Sequence, residues 1–249
     1  MNISKPVHPK SKARREIEFG ASPLTIEDIL FVAEGNAPVR LNQSPAFQDQ
    51  IRAGTEFLDL LLEEDGIIYG VTTGYGDSCT VPVPRHLVEE LSLNLSRFHG
   101  CGMGATLSHA TSRAVMAVRL VSLCRGYSGV RLELLQRLVE LLNHDVVPII
   151  PEEGSVGASG DLTPLSYLVA LLAGERDASH RGATTTAAEV HKLLGLTPLS
   201  LRPKEGIAVM NGTGVMTAIA CGAFARAEYL TRLTARLTAL ATVALQGNS

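Results

Sequence analysis

Two glycine-rich stretches hold the residues of this chain best suited to chemistry. They are Ile68-Tyr69-Gly70-Val71-Thr72-Thr73-Gly74-Tyr75-Gly76 and Gly154-Ser155-Val156-Gly157-Ala158-Ser159-Gly160-Asp161. Neither has the Gly-x4-Gly-Lys-Ser/Thr form of a phosphate loop. Gly100-Cys101-Gly102-Met103-Gly104 is not a GxGxxG, and it follows a helical pattern instead of a strand, so a nucleotide fold is poorly supported. Taken alone, Ala158-Ser159-Gly160 reads as a small-residue turn before a helix, with Asp161 or Thr163 as its cap and Pro164 in its first turn. Tyr69 reads alone as a packed loop aromatic. Asn211 before Gly212 reads as a helix N-cap, and His99 as a buried histidine satisfied by a backbone carbonyl.

In context the second stretch says more. The fourteen residues from Gly154 to Tyr167 closely resemble the signature of the aromatic amino acid ammonia-lyase and aminomutase family, which includes histidine, phenylalanine and tyrosine ammonia-lyases. The resemblance runs from about Leu24 to the end of the chain. Tyr69-Gly70-Val71-Thr72-Thr73-Gly74-Tyr75-Gly76 looks like the family's tyrosine loop. Asn94-Leu95-Ser96-Arg97-Phe98-His99-Gly100-Cys101-Gly102 looks like its substrate-selectivity helix, and Lys204 to Thr213 like its asparagine motif.

The resemblance implies an enzyme that removes ammonia from an L-aromatic amino acid and leaves a trans-arylacrylate. An aminomutase would use the same groups and re-add the amine at the β-carbon. Such a reaction needs an electrophile stronger than any ordinary side chain, and the family makes one from its backbone. By that likeness the nitrogen of Gly160 attacks the carbonyl of Ala158 with loss of water. Ser159 then loses a second water, and the product is 4-methylidene-imidazol-5-one, a covalent prosthetic group. Glycine at 160 allows the close approach, alanine at 158 keeps the bend small, and serine at 159 supplies the departing hydroxyl. Tyr69 carries over as the catalytic base. A tyrosine, with an ordinary pKa of about 10, can serve so only beside helix N-termini or cationic groups. Asn211 carries over as an amide donor to the ring carbonyl or the substrate, and Gly76 as part of the substrate pocket.

Phe98 and His99 occupy the family's selectivity pair. Histidine-specific members resemble Ser-His here, many tyrosine-specific ones His-Leu, and plant phenylalanine enzymes Phe-Leu. Phe-His matches none of these cleanly. Phe98 could pack on an aromatic ring, and His99 could hydrogen-bond a phenol or an imidazole. Pro164-Leu165-Ser166-Tyr167 looks more like phenylalanine and tyrosine members, so tyrosine or phenylalanine is favoured and histidine is the other candidate. No metal and no nucleotide is implied. Members of the family are longer chains, roughly double this one. Their C-terminal half supplies a carboxylate-binding arginine, a second tyrosine and a glutamate, and each active site draws on several subunits of a homotetramer. The resemblance thus covers an N-terminal half and leaves an excerpt, a split enzyme or an inactive helical oligomerisation fragment as readings.

The elements that must position these residues are mainly α-helical. Thr25 caps a short helix with Glu27 and Asp28 in its first turn, and Ser44-Pro45 opens one running to about Glu64, where Gly66 stops it. Pro84 to about Phe98, Ser108 to about Arg125, and Val130 to about Asn143 show apolar residues at helical spacing. Thr186 and Glu189 form a capping box, with Gly195 at the helix end. No sustained alternation occurs, so strands are expected to be few and short. From about Thr213 to Leu245, Leu230, Leu233, Leu237, Leu240 and Ala244 make an apolar seam that needs partner helices. The expected division is a mobile tail over 1–21, an active-site domain over 22–210, and the start of a central helical bundle over 211–249.

Composition sets the outer bounds. The chain has 249 residues, 45% hydrophobic and 19% charged, with a net charge of −3. That is enough apolar material for a core, and it excludes a disordered chain. It shows no basic excess for nucleic acid, and no run of roughly 18 apolar residues for a membrane span. Cys79, Cys101, Cys124 and Cys221 lie far apart without a CxxC, the pattern of reduced, unpaired thiols. The thiol pattern makes a cytoplasmic location the expectation, and the polar first eighteen residues, with no apolar segment after them, do not read as a signal peptide.

Overall fold

The computed structural model describes residues 15–64, 66–155 and 160–247. Local capping signals start most of the helices. Thr25 accepts from the Asp28 N–H while Asp28 bonds back to the Thr25 N–H, opening α1 (Ile26–Ala33). Ser44 accepts from the Phe47 N–H at the head of α2 (Pro45–Glu63), with Pro45 in the first turn. Ser108 does the same for α4 (His109–Leu123). The Thr186–Glu189 box opens α7 (Ala187–Leu194), which ends at Gly195 in the left-handed conformation.

Two helices start later than their apolar periodicity suggests. The chain after Pro84 first makes a 3₁₀ turn, Arg85–Leu87, and α3 (Val88–His99) begins only then, without a side-chain cap. α5 (Leu132–Asn143) begins after Arg131, whose backbone N–H is taken by the Glu205 carboxylate at 3.1 Å.

The strands are few and short. β1 (Ile17–Phe19) pairs in parallel with β2 (Val39–Leu41). β3 (Met103–Thr106) pairs antiparallel with β5 (Pro151–Glu153). β4 (Val146–Pro148), β6 (Asp177–His180) and β7 (Ala183–Thr186) form an antiparallel sheet in the order β4-β6-β7. β1 corrects the expected tail over 1–21: ordered chain is present by Ile17, because Ile17 and Phe19 are buried on β2.

The core lies between α4, α5 and α6 (Leu162–Leu172). Leu120 and Leu123 of α4 and Leu134, Leu138 and Leu141 of α5 are fully buried in one apolar cluster, and every residue of α6 from Thr163 to Leu172 is buried. A helix apolar on all sides belongs in such an interior. α8 (Glu205–Met210) leads into α9 (Gly214–Ala244), a single helix of 31 residues. Its first turns pack on α4, burying Val215, Ala218 and Cys221. The seam further on stands uncovered among the described residues, with Leu230 58% and Leu240 66% exposed. No described helix is long and apolar enough to cross a membrane.

His191 of α7 is buried, and neither ring nitrogen has a hydrogen-bond partner. Burial, and then the charge of Arg137, lower its pKa below the ordinary 6.5, against a smaller raising effect of Glu140. A depressed folded-state pKa means the unfolded chain takes the proton first as pH falls. The stabilisation is therefore present above the ordinary value and declines as pH drops through it towards the folded value. The urea midpoint of the wild type is expected to fall between pH 7.5 and 5.5 more steeply than that of His191→Leu. Parallel pH profiles of the two proteins would refute this.

Candidate active site

Tyr69 sits in a loop shaped by threonine hydroxyls. Ile68 N–H donates to Thr72 Oγ1 at 2.8 Å, which itself donates to the Gly66 carbonyl at 3.0 Å. Gly70 has a φ of +67°, and the Tyr75 ring occupies the place a Cβ would need. The Tyr75 ring meets Tyr69 edge-on, with centroids 6.2 Å apart. Burial, and then the neighbouring Tyr69, push the Tyr75 phenol well above the ordinary range. The Gly76 N–H donates to the Tyr69 phenol oxygen at 3.0 Å, so Gly76 aims that oxygen.

Phe98 and His99 end α3. Phe98 is 81% exposed and meets the His99 ring edge-on at 5.1 Å. His99 Nδ1 lies 3.1 Å from the Leu95 carbonyl oxygen. A carbonyl only accepts, so Nδ1 carries the proton and Nε2 of the neutral ring is an acceptor. This helix end is held from behind. Arg97 pairs with Glu175, Arg176 fills the space against Gly100 and lies 4.8 Å over the Tyr167 ring, and Gly102 N–H donates to Tyr167 Oη at 3.1 Å. These supports come from the middle of α6 and the turn after that helix, which the pattern of α3 itself does not reveal.

Ala158 and Ser159 lie outside the described residues. Gly160 is described, with a φ of +85°, and pairs in parallel with Gly212. The Asp161 N–H donates to the Gly212 carbonyl at 2.9 Å, and a Cβ on Gly160 would strike that same carbonyl. Asp161 and Thr163 do not cap α6 by their side chains. The Asp161 carboxylate instead accepts from the N–H groups of Val215 and Met216, at 2.8 and 3.0 Å, in the first turn of α9. Asn211 likewise is not an N-cap: it closes α8, and Thr213 precedes α9.

One open cleft of about 690 Å³ gathers Tyr69, Gly76, Phe98, His99 and Asn211, with Leu162 and Ile207 among its apolar walls. None of its described lining residues is lysine or arginine. A second opening of about 620 Å³ beside the tyrosine loop, lined by Asp59, Arg85 and Arg202 among others, contains none of the five.

The family model for aromatic amino acid lyases matches residues 24–249. The chain belongs to the aromatic amino acid lyase family. Within this family, human histidine ammonia-lyase is 36% identical over 234 residues, covering 94% of this chain and 35% of that one. The crystal structure of histidine ammonia-lyase from Trypanosoma cruzi superposes with a TM-score of 0.83 at 32% identity, over 94% of this chain and 45% of the other. Tyrosine aminomutase from Streptomyces globisporus gives a TM-score of 0.77 at 36% identity, over 83% and 38%. The chain thus spans less than half the length of these relatives. The mainly helical architecture with few short strands is the one the helical spacing predicts, and the lyase-family fold is the one the motif resemblance implies.

Proposed function

We propose that this chain is the N-terminal, electrophile-bearing part of an enzyme that eliminates ammonia from an L-aromatic amino acid to give a trans-arylacrylate. The observation that carries this reading is the meeting of Tyr69, Phe98, His99 and Asn211 in one cleft, with Gly160 anchored on the residue after Asn211. Gly160 also fits the prosthetic group proposed to form from Ala158-Ser159-Gly160, because the backbone there has no room for a Cβ. When formed, 4-methylidene-imidazol-5-one supplies the electrophile that draws electrons from the substrate.

The side chains divide the remaining work. The Tyr69 oxygen takes the β-proton while the C–N bond breaks. The C–H electron pair becomes the second bond of the alkene, and the C–N pair leaves with nitrogen. A phenol is a good proton acceptor only as the phenolate. The Gly76 N–H is placed to hold negative charge on that oxygen. Asn211 presents its amide to the ring carbonyl or to the substrate. Phe98 offers its face to the aromatic ring. His99 Nε2, as an acceptor, selects a ring that carries a donor, either the phenol of tyrosine or the N–H of histidine. Histidine gains support from the human relative, and tyrosine from the aminomutase. An aminomutase would share every step up to re-addition of the amine.

The substrate carboxylate needs a cation that the described cleft residues do not provide. In this reading it comes from the part of the family chain beyond the matched length, in cis or across a homotetramer. The uncovered leucines of α9 are the surface on which such subunits would meet.

The test is a full-length protein containing this chain, assayed with tyrosine, histidine and phenylalanine, together with its intact mass. A mass two waters below the sequence value and formation of arylacrylate are expected. An unshifted mass in soluble, assembled protein would refute the reading and favour the inactive fragment. His99→Leu is expected to move relative kcat/KM towards phenylalanine by roughly ten- to a hundredfold, the size of a lost buried hydrogen bond. Unchanged ratios would take His99 out of the pocket.

A further inference from the structure

We propose that Arg119 is a positioning residue of this site: its buried guanidinium clamps the Asn211–Gly212 peptide on which Gly160 is seated. Arg119 projects from α4 and is 5% exposed. One terminal nitrogen donates to the carbonyl oxygens of Ala208 and, at 2.7 Å, of Asn211. The other donates to Ser122 Oγ at 3.4 Å. That second nitrogen also occupies the place a Cβ on Gly212 would need, where φ is +143°. Glycine at 212 is therefore what admits the guanidinium so close to the backbone.

No carboxylate among the described residues pairs with Arg119, and its Nε has no hydrogen-bond partner. Arg113, buried on the same helix, shows the contrast: it bonds the Val32 and Leu142 carbonyls and also pairs with Asp145 at 2.7 Å. Burial pushes the Arg119 pKa down to about 10, so it stays a cation at neutral pH. Its charge is met by the carbonyl end of α8, where the helix dipole is negative. A buried cation held by two backbone carbonyls and one serine hydroxyl, with no carboxylate among the described residues, fixes the segment that bears the carbonyls. That segment places Asn211 at the cleft, and the next carbonyl along it, that of Gly212, accepts from the Asp161 N–H where Gly160 bridges to Gly212. Lysine at this place would keep the charge and lose the fork.

The kinetic arm of the test rests on the proposed function, and the exchange arm does not. Full-length wild type, Arg119→Lys, Arg119→Met and Arg113→Met would be compared. Amide hydrogen exchange at Asp161, Val215 and Met216 is expected to quicken in both Arg119 variants and to stay at the wild-type rate in Arg113→Met. Equal rates in all four proteins, or equal quickening in Arg113→Met, would overturn the inference whether or not the enzyme turns over. With an active wild type, Arg119→Lys is expected to lose about a hundredfold in kcat, the scale of a small misplacement of a catalytic group, with KM little changed. Quickened exchange with unchanged kcat would also overturn it. A wild type without turnover or mass deficit would refute the proposed function and leave the exchange arm to decide on Arg119.

Discussion

Tyr69→Phe is expected to lower kcat by about 10²–10⁴, the range for loss of a positioned proton acceptor. The substitution removes one oxygen and keeps the ring. The edge contact with Tyr75, at 6.2 Å between centroids, should survive, and the fold with it. The only described group that loses a partner is the Gly76 N–H, and Tyr69 is 54% exposed, so water can replace the phenol. The effect should therefore fall on turnover and leave thermal stability and KM nearly unchanged. Formation of the prosthetic group draws on Ala158, Ser159 and Gly160, so the mass deficit of two waters should persist in the variant. The measurement is kcat on full-length enzyme beside intact mass. A drop of less than tenfold with the deficit retained would remove Tyr69 from the base role.

Gly160→Ala should abolish both the mass deficit and turnover. At a φ of +85° any L-residue carries strain, roughly 1–2 kcal/mol. Here the added methyl would also strike the Gly212 carbonyl, which accepts the Asp161 N–H. The chain must then move where Gly160 meets Gly212, the residue after Asn211. Gly182 separates the two effects. Its φ is +81°, and nothing lies within 4 Å of where its Cβ would be. Gly182→Ala should show only the strain, a fall in Tm of roughly 2–8 °C by the usual scaling for chains of this size, with normal mass and kcat. Gly160→Ala should destabilise further and fail to lose the two waters of cyclisation. Equal stability of the two variants, or a full mass deficit in Gly160→Ala, would contradict the packing argument.

The starts of α1, α2, α4 and α7 were legible because each rests on a bond between residues three apart, as Thr25 with Asp28 or Thr186 with Glu189. Such a signal lies within one helical turn and needs nothing from the rest of the chain. α9 was equally legible from its run of helix formers and its leucine spacing. The types of the candidate site residues, with Ala158-Ser159-Gly160 among them, were open to reading because their chemistry depends on residue type and order along the chain.

What joins those residues was not legible. β1 has three residues in a polar leader, and it is a strand because β2, more than 20 positions on, offers it hydrogen bonds and a core to bury Phe19. Asp161 looked like the cap of the helix it precedes, yet its carboxylate serves α9, more than 50 residues away. Arg119 had no motif at all, since the carbonyls it holds are 89 and 92 residues distant. By itself the sequence determined the helices, their caps, and the inventory of groups able to act, because these follow from bonds and periodicities spanning a few residues. Only the tertiary structure decided that Tyr69, Phe98, His99 and Asn211 share one cleft, and that Gly160 rests on a peptide clamped from α4. Those placements depend on which buried surfaces and unmatched polar groups find each other when the helices pack.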